Sequence, residues 1–480
     1  MNIDWDDEDF EEDDDFNSEN LEEKVRHFSK IIRSKKRNQE QLPGVDIIES
    51  LVRYCIDNAK FEDAYDFCKI WLGYFPQSVE PKISMAFILQ NQNRYKESNK
   101  FIEEIILISP NDPDAVILKV NYCEFLSNYE EGLELLDKLL LDYPENEDYL
   151  FHKAMFLQYA SKYEDAIKIL KFLETTSFNF YDVQFELAYN YNLTGDFNSS
   201  VKIYENLINH NPYDDNLWYN LGVTRNSMGQ FYRAIECYDM AILIDDNFFA
   251  AWFNKGNSQI ALGWIAKAVE SFKEALRISP DDFDTIHNLA SAFADNHQFD
   301  EAIEHYNKAL KINPKHYQSY FGRAISYDAQ NKYKQALKDY KTALQLSPEN
   351  VEILFAISEL YYETGKTDEA VKYIKQIVKT NPDNLELLLE CAITLFDYEL
   401  FKDALILINQ YLSLKPDSGD GRFMKAKILA VLNNYKESAL LLVELVKNNQ
   451  DYLTRFLLEF EELDIDLRKL YKLMRINHDF

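Results

Sequence analysis

Histidines and cysteines are the residues of this 480-residue chain best suited to metal binding or nucleophilic chemistry. Such sites set their ligands at short spacings, as in H-E-x-x-H or paired C-x-x-C. Neither pattern occurs. His27, His152, His210, His287, His297, His305, His316 and His478 are scattered, and no two of Cys55, Cys68, Cys123, Cys237 and Cys391 stand in C-x-x-C spacing. The phosphate loop G-x-x-x-x-G-K, the dinucleotide signature G-x-G-x-x-G and the nucleophile elbow G-x-S-x-G are missing as well. The residues with a telling spacing are amides and rings. Asn220, Asn254 and Asn288 follow one another at steps of 34, Asn257 lies one turn beyond Asn254, and Tyr219, Phe253 and His287 precede the three. An asparagine side chain holds both donors and an acceptor, so it pairs with an extended backbone of any sequence. Aromatic faces beside it accept the alternate side chains of that segment. The expected chemistry is recognition, with no catalytic residue, no metal ligand and no cofactor.

The elements that position these residues follow from the same step. Pro76, Pro110, Pro144, Pro212, Pro280, Pro314, Pro348, Pro382 and Pro416 are separated by 34 residues or a multiple of it, with Phe178 and Asp246 at missing teeth. A period of this size marks a repeat architecture. Counting position 1 from Val45 gives twelve units over 45–452. Position 20 is small throughout, from Ala64 and Ser98 to Ala404 and Ser438; position 8 is mostly small, as at Ala86, Gly222, Gly256 and Ala290. Position 17 is mostly aromatic, and the remaining apolar positions recur at the 3-and-4 spacing of two amphipathic helices. Gly195, Gly229, Gly263 and Gly365 stand at position 15, where a left-handed residue ends the first helix. The proline at position 32 ends the second. Each unit is therefore expected to be one helix hairpin, with small residues where its two helices approach.

These residues resemble the tetratricopeptide repeat (TPR) family. Trp252, Gly256, Ala268, Phe272, Ala275 and Pro280 follow its pattern in one unit, and Trp218, Leu221, Gly222, Ala234, Tyr238 and Ala241 in the unit before. The resemblance implies an all-α, right-handed superhelical solenoid with the first helices lining a concave face. It also implies a protein-binding function there, with Asn220, Asn254, Asn257, Asn288, Tyr219, Phe253 and His287 as groove residues. Position 5 is aromatic in many units, which packing between helices also explains. Position 2 is acidic in nine units, which suits a helix N-terminus. The carboxylate-clamp subclass places Lys and Arg on groove positions; here position 2 holds no Lys and position 6 no Arg, so a C-terminal carboxylate ligand is disfavoured.

The ends differ from the repeats. Residues 1–23 hold 13 acids and no base, and are expected to be a disordered tail. Residues 24–44 begin with Lys24, Arg26, Lys30, Arg33, Lys35, Lys36 and Arg37, with Val25, Phe28 and Ile32 at helical spacing. Residues 453–480 are expected to form capping helices over the last repeat. A net charge of −31 disfavours nucleic acid and anionic membrane as partners and favours a neutral to basic protein or peptide. No apolar run reaches 18 residues, the start lacks a signal-peptide pattern and the cysteine count is odd, which fits a reducing cytoplasm. The expected function is a non-enzymatic scaffold that binds partner segments in the groove. The alternatives are a peptide-sensing regulator, or a polyanion mimic whose acidic tail sequesters a basic protein or the chain's own basic segment.

Overall fold

A computed structural model of the chain describes residues 18–33, 42–176, 178–461, 463 and 465–476. Residues 1–17, the basic Lys35, Lys36 and Arg37, and His478 lie outside the described residues. Twenty-seven α-helices and no strand are found among those described. They fall into two units, 1–244 and 245–480.

The first unit opens with α1 (Ser18–Arg33) and continues as six hairpins. These are α2 (Val45–Asp57) with α3 (Phe61–Tyr74), α4 (Glu80–Asn91) with α5 (Tyr95–Ile108), and α6 (Pro113–Phe125) with α7 (Tyr129–Asp142). Then come α8 (Glu147–Tyr159) with α9 (Tyr163–Leu173), α10 (Phe180–Leu193) with α11 (Phe197–His210), and α12 (Asp215–Ser227) with α13 (Phe231–Ile244). The second unit also holds six: α14 (Phe249–Ala261) with α15 (Ile265–Ile278), α16 (Phe283–Asp295) with α17 (Phe299–Ile312), and α18 (Tyr317–Ala329) with α19 (Tyr333–Leu346). They continue with α20 (Val351–Glu363) and α21 (Thr367–Thr380), α22 (Leu385–Asp397) and α23 (Phe401–Leu414), and α24 (Gly419–Val431) and α25 (Tyr435–Asn448). The short α26 (Asp451–Glu459) and α27 (Leu467–Ile476) close it.

Local chemistry starts and stops each helix. The side chains of Asp112, Asn146, Asp214, Asp282, Asn350, Asn384 and Ser418 accept backbone N–H groups from the first turns of α6, α8, α12, α16, α20, α22 and α24. This satisfies donors that a helix start leaves free. The turn between the two helices is three residues long in every hairpin, and its middle residue has positive φ in all twelve. Four of those residues are the expected glycines; the others are Ala59, Asn93, Ser127, Ser161, His297, Asn331, Glu399 and Asn433. The left-handed residue lets the next N–H reach back five residues, as from Arg94 to the Leu89 carbonyl at 2.8 Å. Turn geometry, not glycine, is the invariant.

Positions 8 and 20 face each other. The position-20 residues from Ala64 to Ser438 are buried in every hairpin. Serine hydroxyls at these positions cross to the opposite backbone in three hairpins, Ser98 to the Ala86 carbonyl at 2.9 Å, Ser358 to Ala370 at 3.1 Å and Ser438 to Ala426 at 2.8 Å, while Ser200 meets the Thr224 hydroxyl at 3.2 Å. A Cβ on Gly222 or Gly256 would stand 2.6 Å from the Tyr238 or Phe272 ring, so glycine is what admits those rings. All five cysteines are free and buried. Burial pushes the Cys55 and Cys391 thiols up to about 12 and those of Cys123 and Cys237 up to about 11, so they sit in the core as protonated hydrophobes.

Two features depart from the expected plan. The helix α1 starts at Ser18, so the boundary at 23 between a disordered and a helical segment is too late. Leu21 extends the Val25–Phe28–Ile32 stripe by one turn, and Val25 and Ile32 are buried against the first hairpin. The second departure is α9, which stops at Leu173 after 11 residues, where other second helices have 14. Thr175 and Thr176 turn their hydroxyls back onto the Phe172 and Leu173 carbonyls at 2.7 and 2.8 Å, which ends the helix without a proline. At the other end of the chain, Phe456, Phe460, Leu470 and Met474 bury against α25. No described helix is long and apolar enough to cross a membrane.

Candidate functional site

In five hairpins the ring at position 5 of the first helix packs on the ring at position 24 of its own second helix. Phe185 lies 5.9 Å from Tyr204, Tyr219 6.0 Å from Tyr238, Phe253 6.1 Å from Phe272, His287 5.8 Å from Tyr306 and Phe321 5.8 Å from Tyr340. The position-24 ring is buried and the position-5 ring half-buried. The position-5 ring therefore seals the hairpin with one face and edge, and keeps the rest toward solvent.

All seven candidate residues are half-buried. Tyr219 and Asn220 belong to the first unit; the other five belong to the second. In the first unit the Asn220 amide donates to the Asn216 carbonyl of its own helix at 2.8 Å, so this donor serves the helix. In the second unit Asn288 Nδ2 donates to Asn257 Oδ1 at 3.0 Å, which joins α16 to α14. Phe253 also stacks on Phe249, with centroids 6.1 Å apart.

His287 has neighbours that spacing did not reveal. Its Nδ1 lies 2.9 Å from Ser319 Oγ, and His316 Nδ1 lies 2.9 Å from the same oxygen. The two imidazoles meet edge to face at 4.8 Å, with Phe283 4.8 Å from His316. His316 Nδ1 also accepts the Ser319 N–H, so this histidine caps α18 where other hairpins use Asp, Asn or Ser. An accepting nitrogen carries no proton, so His316 is neutral with its proton on Nε2. Burial, then the neighbouring His316, pushes His287 down to about 4, against the pull of Asp284. His316 is lowered too, again by burial. The capping column at position 34 was the available signal: His316 stands in the place held by Asp282 and Asn350.

Several carboxylates on first helices are pushed above the usual range by burial, among them Glu186 in the first unit and Asp295 and Asp328 in the second. Among the described residues, no group of three or more His, Cys, Asp or Glu is placed to hold a metal ion. The arrangement offers amides, rings and acids on first helices, which are means of holding a polypeptide segment.

Comparison with known proteins agrees with this geometry. Tetratricopeptide-repeat profiles match residues 216–248, 249–282, 281–349 and 329–389. No curated protein sequence matches the chain. Among solved structures, the C-terminal part of a TPR repeat-containing protein from Cytophaga hutchinsonii is 21% identical, over 49% of this chain and 97% of that one, with a TM-score of 0.43. MamA from Desulfovibrio magneticus RS-1 is 15% identical over 35% of this chain and 96% of its own, with a TM-score of 0.35. YrrB, described as a TPR protein with an unusual peptide-binding site, is 18% identical over 38% and 95%, with a TM-score of 0.34. The profile matches run without a gap from 216 to 389, and the hairpins on either side repeat the same turn and the same small-residue contact: residues 216–389 are tetratricopeptide repeats, set in a longer run of hairpins of the same build.

Proposed function

We propose that the chain is a non-enzymatic scaffold that holds an extended segment of a partner protein on its first helices. The observation that carries this reading is the Asn257–Asn288 pair. Once Asn288 has donated to Asn257, the second unit presents an Asn257 Nδ2 donor and an Asn288 Oδ1 acceptor on neighbouring hairpins. A peptide backbone presents the complementary C=O and N–H. Phe253 and His287, one residue before Asn254 and Asn288, add ring faces for side chains. The acidic groove positions and the −31 net charge favour a neutral to basic segment, and the absence of Lys at position 2 and Arg at position 6 disfavours a carboxylate-clamp ligand. Five buried thiols fit a reducing, cytoplasmic setting.

The test is the double variant Asn254→Ala with Asn288→Ala, compared with wild type in quantitative affinity purification from the native host. Each lost amide should weaken capture by ~0.5–1.5 kcal/mol, several-fold per residue, with the helical circular-dichroism signal retained. Full-strength capture by the double variant would move the site off this face.

A further inference from the structure

Glu186 stands at position 6 of its hairpin, the position that Asn220, Asn254 and Asn288 hold in theirs. It is half-buried on α10, and burial with the nearby Asp182 raises its carboxyl pKa, offset by a hydrogen bond from Gln158. Among the described residues, no cation is one of the groups that bear on it.

Two neighbours are buried with polar atoms left over. Asn190, one turn on, is 0% exposed; its Nδ2 donates to Gln158 Oε1 and to the Glu186 carbonyl, and its Oδ1 has no partner. Tyr204 on α11 is 1% exposed, its ring is 5.9 Å from Phe185, and its hydroxyl has no partner. That hydroxyl lies within the electrostatic reach of Glu186. Buried polar atoms are nearly always paired, so two orphans beside one uncompensated carboxylate call for a donor-rich ligand.

We propose that Glu186, Asn190 and Tyr204 form, within the first unit, a receptor for the ammonium group of one lysine of a partner segment. The inference rests on the reading that a segment lies on the first helices. An ammonium carries three donors and no acceptor, which matches a carboxylate, an amide oxygen and a hydroxyl. Arginine fits less well. The Glu186 carboxylate already takes a hydrogen bond from Gln158, which leaves less of it for a planar fork to grip. The four-carbon stem suits the half-buried rings of Phe151 and Phe185 at position 5.

The probe is n-butylammonium, the lysine side chain alone, titrated into the full-length chain at fixed ionic strength and followed by ligand-detected NMR. Saturable binding is expected, weakened roughly tenfold by Glu186→Gln, which removes a buried charge and keeps the shape. n-Butyltrimethylammonium, which keeps the charge and loses the donors, should bind several-fold more weakly. Tyr204→Phe should also weaken binding without lowering the melting temperature, because the lost hydroxyl has no partner in the fold. Equal titration of wild type and Glu186→Gln, or equal binding of the trimethylated probe, would reduce the effect to general attraction by an acidic chain. Absence of saturation would leave only water for the orphan atoms. Any of these overturns the receptor. Loss of the receptor while the Asn254/Asn288 variant still weakens capture removes this inference alone. Probe binding beside undiminished capture by that variant removes the segment reading instead.

Discussion

Glu399 occupies a left-handed turn that a side chain with a Cβ enters at a cost of ~1–2 kcal/mol. Gly365 meets the same demand one hairpin earlier without that cost. Glu399→Gly should therefore stabilise the second unit by about 1 kcal/mol, seen as a higher urea midpoint, and Gly263→Ala should do the reverse by a similar amount. His287 gives a pH signature. In the unfolded chain it takes up a proton near its ordinary value of 6.5, whereas the folded imidazole refuses it until about 4. Its contribution is complete above the unfolded value and is lost as pH falls through this window, by on the order of 1–3 kcal/mol. His287→Phe, the residue found at the same position in Phe253 and Phe321, should flatten the urea midpoint between pH 4 and 6.5. At this scale the sequence was only partly legible. The asparagines and rings showed by their spacing, because three successive units repeat them at the same positions. Their bonds did not show: the same asparagine turns inward at Asn220 and across to a neighbour at Asn288, a choice of rotamer that no spacing encodes. The orphan Tyr204 hydroxyl was equally hidden, since Tyr stands at position 24 in Tyr238, Tyr306 and Tyr340 as well and the spacing does not tell which hydroxyl finds a partner.

Among the elements, α1 is the one whose role charge obscured. The seven bases of residues 24–37, four of them in α1, with the acids before them suggested an electrostatic contact between two tail segments. The described part of that basic segment finds carboxylates in both places: Arg33 reaches Asp63 at 2.9 Å and Asp66 at 3.5 Å on α3 and Ser29 donates to Asp63, while Arg26 pairs with Glu22 of the acidic block one turn back. Exposed ion pairs are weak, so the apolar stripe decides the docking. Ile32→Ala should remove about 2 kcal/mol from the first hairpin, read as faster amide exchange in α2 and α3, whereas Arg26→Ala should change exchange little. The helix hairpins were legible because a strict period superimposes twelve weak amphipathic signals into one strong one. The caps at position 34 were as regular and went unread beside the acids of position 2, which sit two residues further on.

Across the whole molecule, packing runs within a hairpin and between neighbouring hairpins of a unit, so stability should be close to a sum of local terms. Deleting 283–316 should leave a soluble protein whose helix signal by circular dichroism falls in proportion to the residues removed. The deletion brings Asp282, a working cap of α16, directly before Tyr317, so α18 keeps a capped start. Loss of most helix would show that the hairpins cooperate over longer distances. The same additivity makes α9 matter mechanically. It has one turn fewer to bury than its counterparts, and six residues, 174–179, separate it from α10 where most hairpins are four apart. A chain of springs in series yields at its softest member. Pulled by its ends, the first unit should give way at this joint, with an early low-force step that restoring the missing turn would erase. A partner gripped on both sides of the joint would then feel a compliant support where the other hairpins offer a stiff one.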